Sequence, residues 1–517
     1  MSPQSEIYSE IEKIGESPPL TVNLRLMELS REAYWRRYPK TSPLKLRWRA
    51  LTVRHSFHVL PGESILELGA GSGLWTEHLS AVLRGQNPIT AAVFGDEFVE
   101  SHRSVPNAKF VKISDLAKDL PEATFDYAVG TAILCHDLYP QNLYALQRLL
   151  KPGGQMLFLE ANYWNPQVAL KNAVPWLGRW AGNAECEVGL RKYKLMQMAS
   201  HQGFVDIDII PYDIIHPLTP RFLISSLQSL AFVLEHAWLI RDLCGTLHIW
   251  AKKPGDESVR RPHVNLAEHP HLFGSTSVVV PCHNEEMNIP LLVDTLIRFY
   301  DAYIHEIIIV NDNSSDSTAE VTRRIALLEP RVKLVDRRPP NGVGRALRDG
   351  YAASTGRYIL TMDCDFVQIV PEFRDLFDVV AAGHDGAIGS RFSHESLLIN
   401  YPFFKILCNR AFHMMANLLL PTRMRDISNN LKLYRAAILK NLPIEQDHFA
   451  ANVETGLKPL LAGYDIKEVP ISWINRTFDM GRSTFRIVKV APDYFVALIR
   501  MVWSCWRGRR SFGRKEI

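Results

Sequence analysis

The stretch GRYILTMDCD, residues 356–365, decides how the second half of this 517-residue chain is read. Its apolar run ends in two carboxylates, Asp363 and Asp365, on either side of Cys364. Alternate side chains of an extended chain share a face, so Cys364 should point away from the pair and pack beneath it. Three earlier stretches behave in the same way: STSVVVPCHNEE (275–286), IHEIIIVNDNSSDS (304–317) and RVKLVDRR (331–338) are apolar runs that end in polar residues. Taken singly, acid-rich strand ends are Asx turns or helix caps. Taken together, strands alternating with helical segments predict an open, mainly parallel sheet, whose ligands sit outside the carboxyl ends of the strands.

The same rhythm runs through the first half, in SILELGAG, ITAAVF, AKFVKI, FDYAVGTAIL, GGQMLFLEA and LCGTLHIWAKKP. Residues 254–274 lack periodicity and are rich in Pro, His and charge, which predicts a linker. The expected division is an N-terminal helical extension (1–49), a first α/β domain (50–253), the linker, a second α/β domain (275–486) and an amphipathic basic tail (487–517). In ELGAGSGLW, Glu67 ends a strand and Gly69, Gly71 and Gly73 allow a tight turn that a ligand can approach closely. A dinucleotide fingerprint requires glycine where Leu74 stands, which disfavours NAD.

Composition narrows the classes further. A hydrophobic content of 47% supports more than one core, and a formal charge of +4 over 59 basic and 55 acidic residues gives no overall field for nucleic acid. Seven cysteines without a CxxC pair argue against a disulfide framework or a structural zinc site. The opening residues have neither the basic nor the apolar region of a signal peptide, which predicts a cytoplasmic protein. No stretch offers a clean span of about 20 apolar residues. In the tail, however, Tyr494, Phe495, Trp503 and Trp506 stand near Arg507, Arg509 and Arg510, a pattern suited to peripheral attachment to an anionic membrane surface.

Two resemblances complete the reading. KFVKISDLAKDLPEATFDYAVGTAILCHDL (109–138) and LQRLLKPGGQMLFLEANYWNP (146–166), after the glycine turn, resemble class I S-adenosylmethionine-dependent methyltransferases. The resemblance implies that Glu67, Gly69, Gly71 and Gly73 hold the amino-acid end and ribose of S-adenosylmethionine and that Asp115 meets the adenine. Because ITAAVF lacks an acid at its end, Asp96 is carried over to the ribose hydroxyls. His136 falls where such enzymes approach substrate, or is a capping or buried histidine.

The acidic strand ends together with NGVGRALRDGYAASTGRYILTMDCD (341–365) resemble glycosyltransferase family 2. The implied fold class is α/β with two doubly wound domains, an N-terminal Rossmann-like methyltransferase and a C-terminal GT-A type glycosyltransferase. The implied donor is a nucleotide sugar, contacted by Pro281, Glu285, Asp312, Asp316, Arg345 and Asp363. Asp365, with Asp363, would hold Mg2+ or Mn2+ as the DxD motif. AIGSRF (387–392) and MRDISNNLKLYRAAIL (424–439) resemble dolichyl- or polyprenyl-phosphate sugar transferases, which implies a lipid-phosphate or glycolipid acceptor. Arg391, Arg410 and Arg482 would then orient phosphates, and Glu454 would be the base for a hydroxyl acceptor. Asn430 and Leu431 replace the usual Gly-Phe, GRSTF (481–485) replaces GxSK, and Val367 holds the metal-binding Gln position. Two alternatives stay open: a catalytically idle cofactor-fold module docking the transferase, or a carbohydrate or lipid-carrier binding scaffold.

Overall fold

The computed structural model describes residues 20–506 except 101, 117, 135–138, 175–189, 216–218, 239, 256–263, 394, 400 and 475–486. His136 and Arg482 therefore lie outside the described residues. The chain forms two compact units, Met1–Arg261 and Pro262–Ile517.

The first unit is built on strands β1 (Ile65–Leu68), β2 (Ile89–Val93), β3 (Ala108–Lys112), β4 (Phe125–Thr131), β5 (Leu150–Ala161), β6 (Val205–Tyr212) and β7 (Thr246–Lys252). They hydrogen-bond in the order β3-β2-β1-β4-β5-β7-β6, parallel from β3 to β5, with β7 antiparallel to both of its neighbours. The strand order reverses between β1 and β4, so the crevice of this sheet opens at their carboxyl ends. Of the residues expected as an extension, the two described helices contribute to the core. Helix Leu20–Arg37 buries Leu24 and Met27 against β1 and β4, and helix Ser42–Phe57 buries Leu46, Ala50, Val53 and Phe57 on the other side of the sheet.

The second unit repeats the plan with β8 (Thr276–Cys282), β9 (Ile304–Asn311), β10 (Val332–Asp336), β11 (Tyr358–Thr361), β12 (Gly386–Ser390), β13 (Leu398–Ile399), β14 (Lys432–Arg435), β15 (Ile466–Pro470) and β16 (Trp473–Ile474). Its main sheet runs β10-β9-β8-β11-β14-β12-β15, parallel from β10 to β11, with β14 antiparallel to both neighbours. Val278, Val279 and Val280 are fully buried, as expected of a central parallel strand covered on both faces. Helix Asn288–Tyr300 packs beside the neighbouring β9 and buries Ile289, Leu292, Val293, Leu296 and Phe299, spaced at the helical period. Here the order reverses between β8 and β11, which sets Pro281 and the DCD pair at one crevice. Part of the expected linker is packed into this unit: Leu266 and Leu272 are buried, an irregular segment whose two anchors carry no periodic signal.

Candidate functional site

In the second unit a cavity of about 900 Å³ lies at that crevice. Pro281, Glu285, Asp312, Asp363, Asp365 and Arg391 all line it, so six of the expected side chains come together. Helices Phe403–Leu419 and Ile487–Trp506 contribute an apolar wall that includes Phe412, Met415, Val490 and Phe495. That volume lies at the upper end for ligand pockets.

Asp363 follows β11 and accepts a hydrogen bond from Asn430 Nδ2 at 2.7 Å. Burial, reinforced by the charge of Asp365, pushes its carboxyl up to about 6. Cys364 is buried next to Cys282 with its thiol raised well above its ordinary value, so it remains a neutral thiol. The oxygen donors of Asp363 and Asp365 suit a hard divalent cation, and the neutral thiol does not compete. Among the described residues no three His, Cys, Asp or Glu side chains form a metal-holding group. Such an ion would therefore draw its remaining ligands from a bound diphosphate and water.

Arg391 follows β12 and is gripped by Asp426: Nε donates to Oδ2 at 2.7 Å, Nη2 to Oδ1 at 2.9 Å, and the backbone N–H to Oδ2 at 3.1 Å. Tyr401 Oη accepts from Nη1 at 3.3 Å, and the Trp473 ring centroid lies 5.6 Å from the guanidinium carbon. Despite burial, Arg391 holds the Asp426 carboxyl down at about 2. The bidentate fork thus fixes the arginine in one orientation at the cavity wall.

His413 supports the Asp426 loop. Its Nδ1–H donates to Asn409 O at 2.7 Å, and Nε2 accepts from Ile427 N at 2.9 Å, while burial drives the imidazole down to about 3. The unfolded chain takes up this proton near its ordinary pKa of 6.5, but the folded chain does so only at about 3. Stability contributed here is therefore lost as pH falls below 6.5, by up to about 1.4 kcal/mol per pH unit. Urea unfolding of His413→Gln between pH 6.5 and 4 should show a shallower loss than the wild type; equal slopes would contradict the assignment.

Other expected residues have different occupations. Glu454 accepts from Glu445 N at 2.9 Å and Gln446 N at 2.8 Å and pairs with Lys458 at 2.6 Å. It is buried outside the cavity lining, so the expected base is instead a clamp on the 445–446 turn. Asp316 accepts from Thr318 N at 3.0 Å and Glu286 N at 3.2 Å, which makes it the brace of a helix start. Arg345 and Arg348 share Asp447, and Arg410 lies over the Phe392 ring at 4.0 Å; none of the three arginines lines the cavity.

The first unit holds the second candidate site. Gly69, Gly71 and Gly73 have φ of +63°, +55° and +83°, so the turn after β1 takes a backbone that side chains rarely adopt. Glu67 is buried, with its Oε2 among the buried atoms that have no hydrogen-bond partner, and burial pushes its carboxyl up to about 7. An orphaned acceptor beneath an open-backbone turn fits a ligand carrying N–H or O–H donors. Asp96 is exposed and paired with Lys112, and Asp115 pairs with Lys118 at 2.9 Å; they follow the carboxyl ends of β2 and of the edge strand β3. Three residues that the sequence does not flag, Glu28, Arg31 and Glu32, reach the turn from helix Leu20–Arg37.

Residues 277–442 match the family model for Glycosyl transferase family 2, and residues 36–205 match that for Methyltransferase domain. The chain thus carries a glycosyltransferase domain and a methyltransferase domain, two enzyme halves on one polypeptide. It is similar to a polyprenol monophosphomannose synthase of Mycolicibacterium smegmatis, 28% identical over 221 residues, covering 40% of this chain and 80% of that one. It is also similar to the glycosyltransferase AglD of Haloferax volcanii, 26% identical over 204 residues, covering 38% of this chain but 32% of that one. Among solved structures, glucosyl-3-phosphoglycerate synthase from Mycobacterium tuberculosis aligns at 18% identity with a TM-score of 0.36, over 47% of this chain and 86% of the other.

Proposed function

We propose that the second unit transfers a sugar from a nucleotide diphosphate sugar to a polyprenyl phosphate, with inversion, and that the first unit transfers a methyl group from S-adenosylmethionine. The observation that carries the first reading is the single cavity joining the DCD carboxylates, Arg391 and an apolar wall. The likeness to a polyprenol monophosphomannose synthase supports a polyprenol-linked acceptor.

A phosphate monoester has its second pKa near 6, so at pH 7 it is already an anionic nucleophile and needs no base. That suits a cavity from which Glu454 is withdrawn. Arg391, fixed by Asp426, orients an acceptor or donor phosphate. Pro281, Glu285 and Asp312 contact the donor. One in-line displacement by the phosphate oxygen at the sugar C1, with the nucleotide diphosphate leaving, inverts that centre. A divalent ion held by Asp365 and Asp363 would neutralise charge on the departing diphosphate. Comparing polyprenyl phosphate with the matching polyprenol tests this: the phosphate should accept sugar and the alcohol should not. Equal use of both would overturn the base-free reading.

For the first unit, Glu67 and the turn at Gly69, Gly71 and Gly73 would hold the amino-acid end and ribose of the cofactor, with Asp96 and Asp115 toward ribose and adenine. A side chain at Gly71 meets positive φ and a crowded cradle, its Cβ lying 3.0 Å from Glu32 Oε2. Gly71→Val should therefore lose S-adenosylmethionine binding in calorimetry while keeping sugar transfer; unchanged affinity would refute the assignment.

The reading extends to a membrane surface, supported by two neighbouring helices. Phe404, Met414 and Leu418 on one, and Ile499, Trp503 and Trp506 on the other, are exposed, and the helices meet through Phe412, Ala497 and Leu498. Among the described residues no helix is long and apolar enough to cross a membrane. The arginines 507, 509 and 510 lie outside the described residues. Burying a large apolar side chain contributes about 1.5–3 kcal/mol, so Trp503→Ser with Trp506→Ser should cut flotation with anionic vesicles roughly tenfold or more. Undiminished flotation would show that this face is not the anchor.

A further inference from the structure

The turn after β1 is covered by the protein's own N-terminal helix, and the manner of covering is specific. Glu28 lies eight residues into helix Leu20–Arg37 and is fully buried. Its Oε1 accepts from Gly71 N at 2.8 Å, and its Oε2 accepts from Phe94 N at 2.9 Å and Gly95 N at 3.3 Å. One carboxylate therefore bridges the glycine turn after β1 and the loop after β2. One helical turn on, Arg31 donates to Thr131 O at the end of β4, at 2.9 Å, and to Gly69 O. Glu32 accepts from the Ser72 hydroxyl and is held by Arg36 Nε at 2.9 Å. Three polar side chains on one helical face thus satisfy Gly71 N, Gly69 O and the Ser72 hydroxyl, groups that a ligand at the turn would otherwise use.

The space is filled as well as the hydrogen bonds. A Cβ built on Gly71 would lie 3.0 Å from Glu32 Oε2, 3.6 Å from Arg31 Nη2 and 3.8 Å from Glu28 Cγ. A Cβ there would oblige the Glu32 carboxylate to give by a few tenths of an ångström, and the three side chains together stand where the ribose and amino-acid end of a cofactor would lie. Glu67, meanwhile, lies beneath this covering beside the Thr76 hydroxyl, with Oε2 making no well-formed hydrogen bond, an acceptor that the helix does not serve. Buried polar atoms without partners are uncommon, and this one would gain a donor from a ligand seated on the turn.

We propose that helix Leu20–Arg37 is an internal pseudo-ligand that occupies the cofactor cradle through Glu28, Arg31 and Glu32, so that S-adenosylmethionine binds only when this helical face withdraws. The inference rests on the reading of the first unit as a cofactor-binding methyltransferase. The helix is anchored at the same time by Leu24, Met27 and Trp35, so withdrawal costs buried apolar surface, and the open form is the minor one. Apparent cofactor affinity is then reduced by the open fraction, and anything that weakens the three polar contacts raises it.

The test uses the full chain. Glu28→Gln presents an amide N–H to the N–H groups of Phe94 and Gly95, and Arg31→Met removes the donors to Gly69 O and Thr131 O, both with little change in volume. Calorimetric titration with S-adenosylmethionine should show about tenfold tighter binding by the double variant than by the wild type. Hydrogen exchange on the wild type should show amides 20–37 exchanging faster when S-adenosylmethionine is added. Wild-type binding that is equal in or weakened by the double variant, or added protection of 20–37 by the cofactor, would overturn the pseudo-ligand and make the helix a lid or a support. Binding by neither protein would overturn the cofactor reading itself, and this inference with it.

Discussion

Asp365→Asn is expected to lower sugar transfer by about 10²–10³-fold, the usual loss when one preorganised electrostatic group is removed from a site of developing charge. The amide keeps the shape of the carboxylate at the start of the segment Phe366–Phe373 but removes one of the two acidic groups of the DCD pair that line the cavity. Methyl transfer should be unaffected, because Asp365 belongs to the second compact unit and the glycine turn to the first. Assaying both activities in one preparation therefore also controls for misfolding. Full transfer by the variant would return the DCD pair to an acidic turn.

The second large effect concerns Arg391. Its side chain is 12% exposed, and that of its partner Asp426 is fully buried. Removing one member of a buried pair leaves an uncompensated charge and typically destabilises by about 3–5 kcal/mol, whereas replacing both by apolar groups of similar volume can be nearly neutral. Asp426→Leu alone should therefore shift the urea midpoint of the second unit strongly, and Asp426→Leu with Arg391→Met should restore much of it. The double variant should nevertheless transfer no sugar, because the cavity has lost its fixed cation. A stable double variant that retains transfer would show that Arg391 serves only the fold.

What was legible in the sequence depended on period and on spacing. The β8, β9 and β11 strands carry the apolar runs VVV (278–280), IIIV (307–310) and YIL (358–360) that lead into acids, and both the sheet and the crevice of the second unit follow from them. The β6 strand was not legible, because VDIDIIPY mixes charge into a partly exposed edge. The four-residue β14 was not either, since KLYR is too short to show a period. In the site, Asp363, Asp365 and Arg391 carried motif signals, but their orienting partners did not. Asn430 stands 67 residues from Asp363 and Asp426 stands 35 from Arg391, separations that only the closed sheet resolves. Glu454 and Asp316 show the opposite case: acids in suggestive places whose oxygens brace backbone turns. Glu28 and Arg31 were hidden because three-residue spacing on a helix marks a shared face without indicating what that face meets.

Whether the DCD cavity joins a nucleotide sugar to a lipid phosphate is measurable in one assay. Purified full-length protein would be incubated with Mn2+, polyprenyl phosphate in detergent and a panel of nucleotide sugars, and the lipid product read by mass spectrometry. A polyprenyl-phosphate sugar should form from at least one donor and be lost when EDTA is added. No product from any donor, or undiminished product in EDTA, would contradict it.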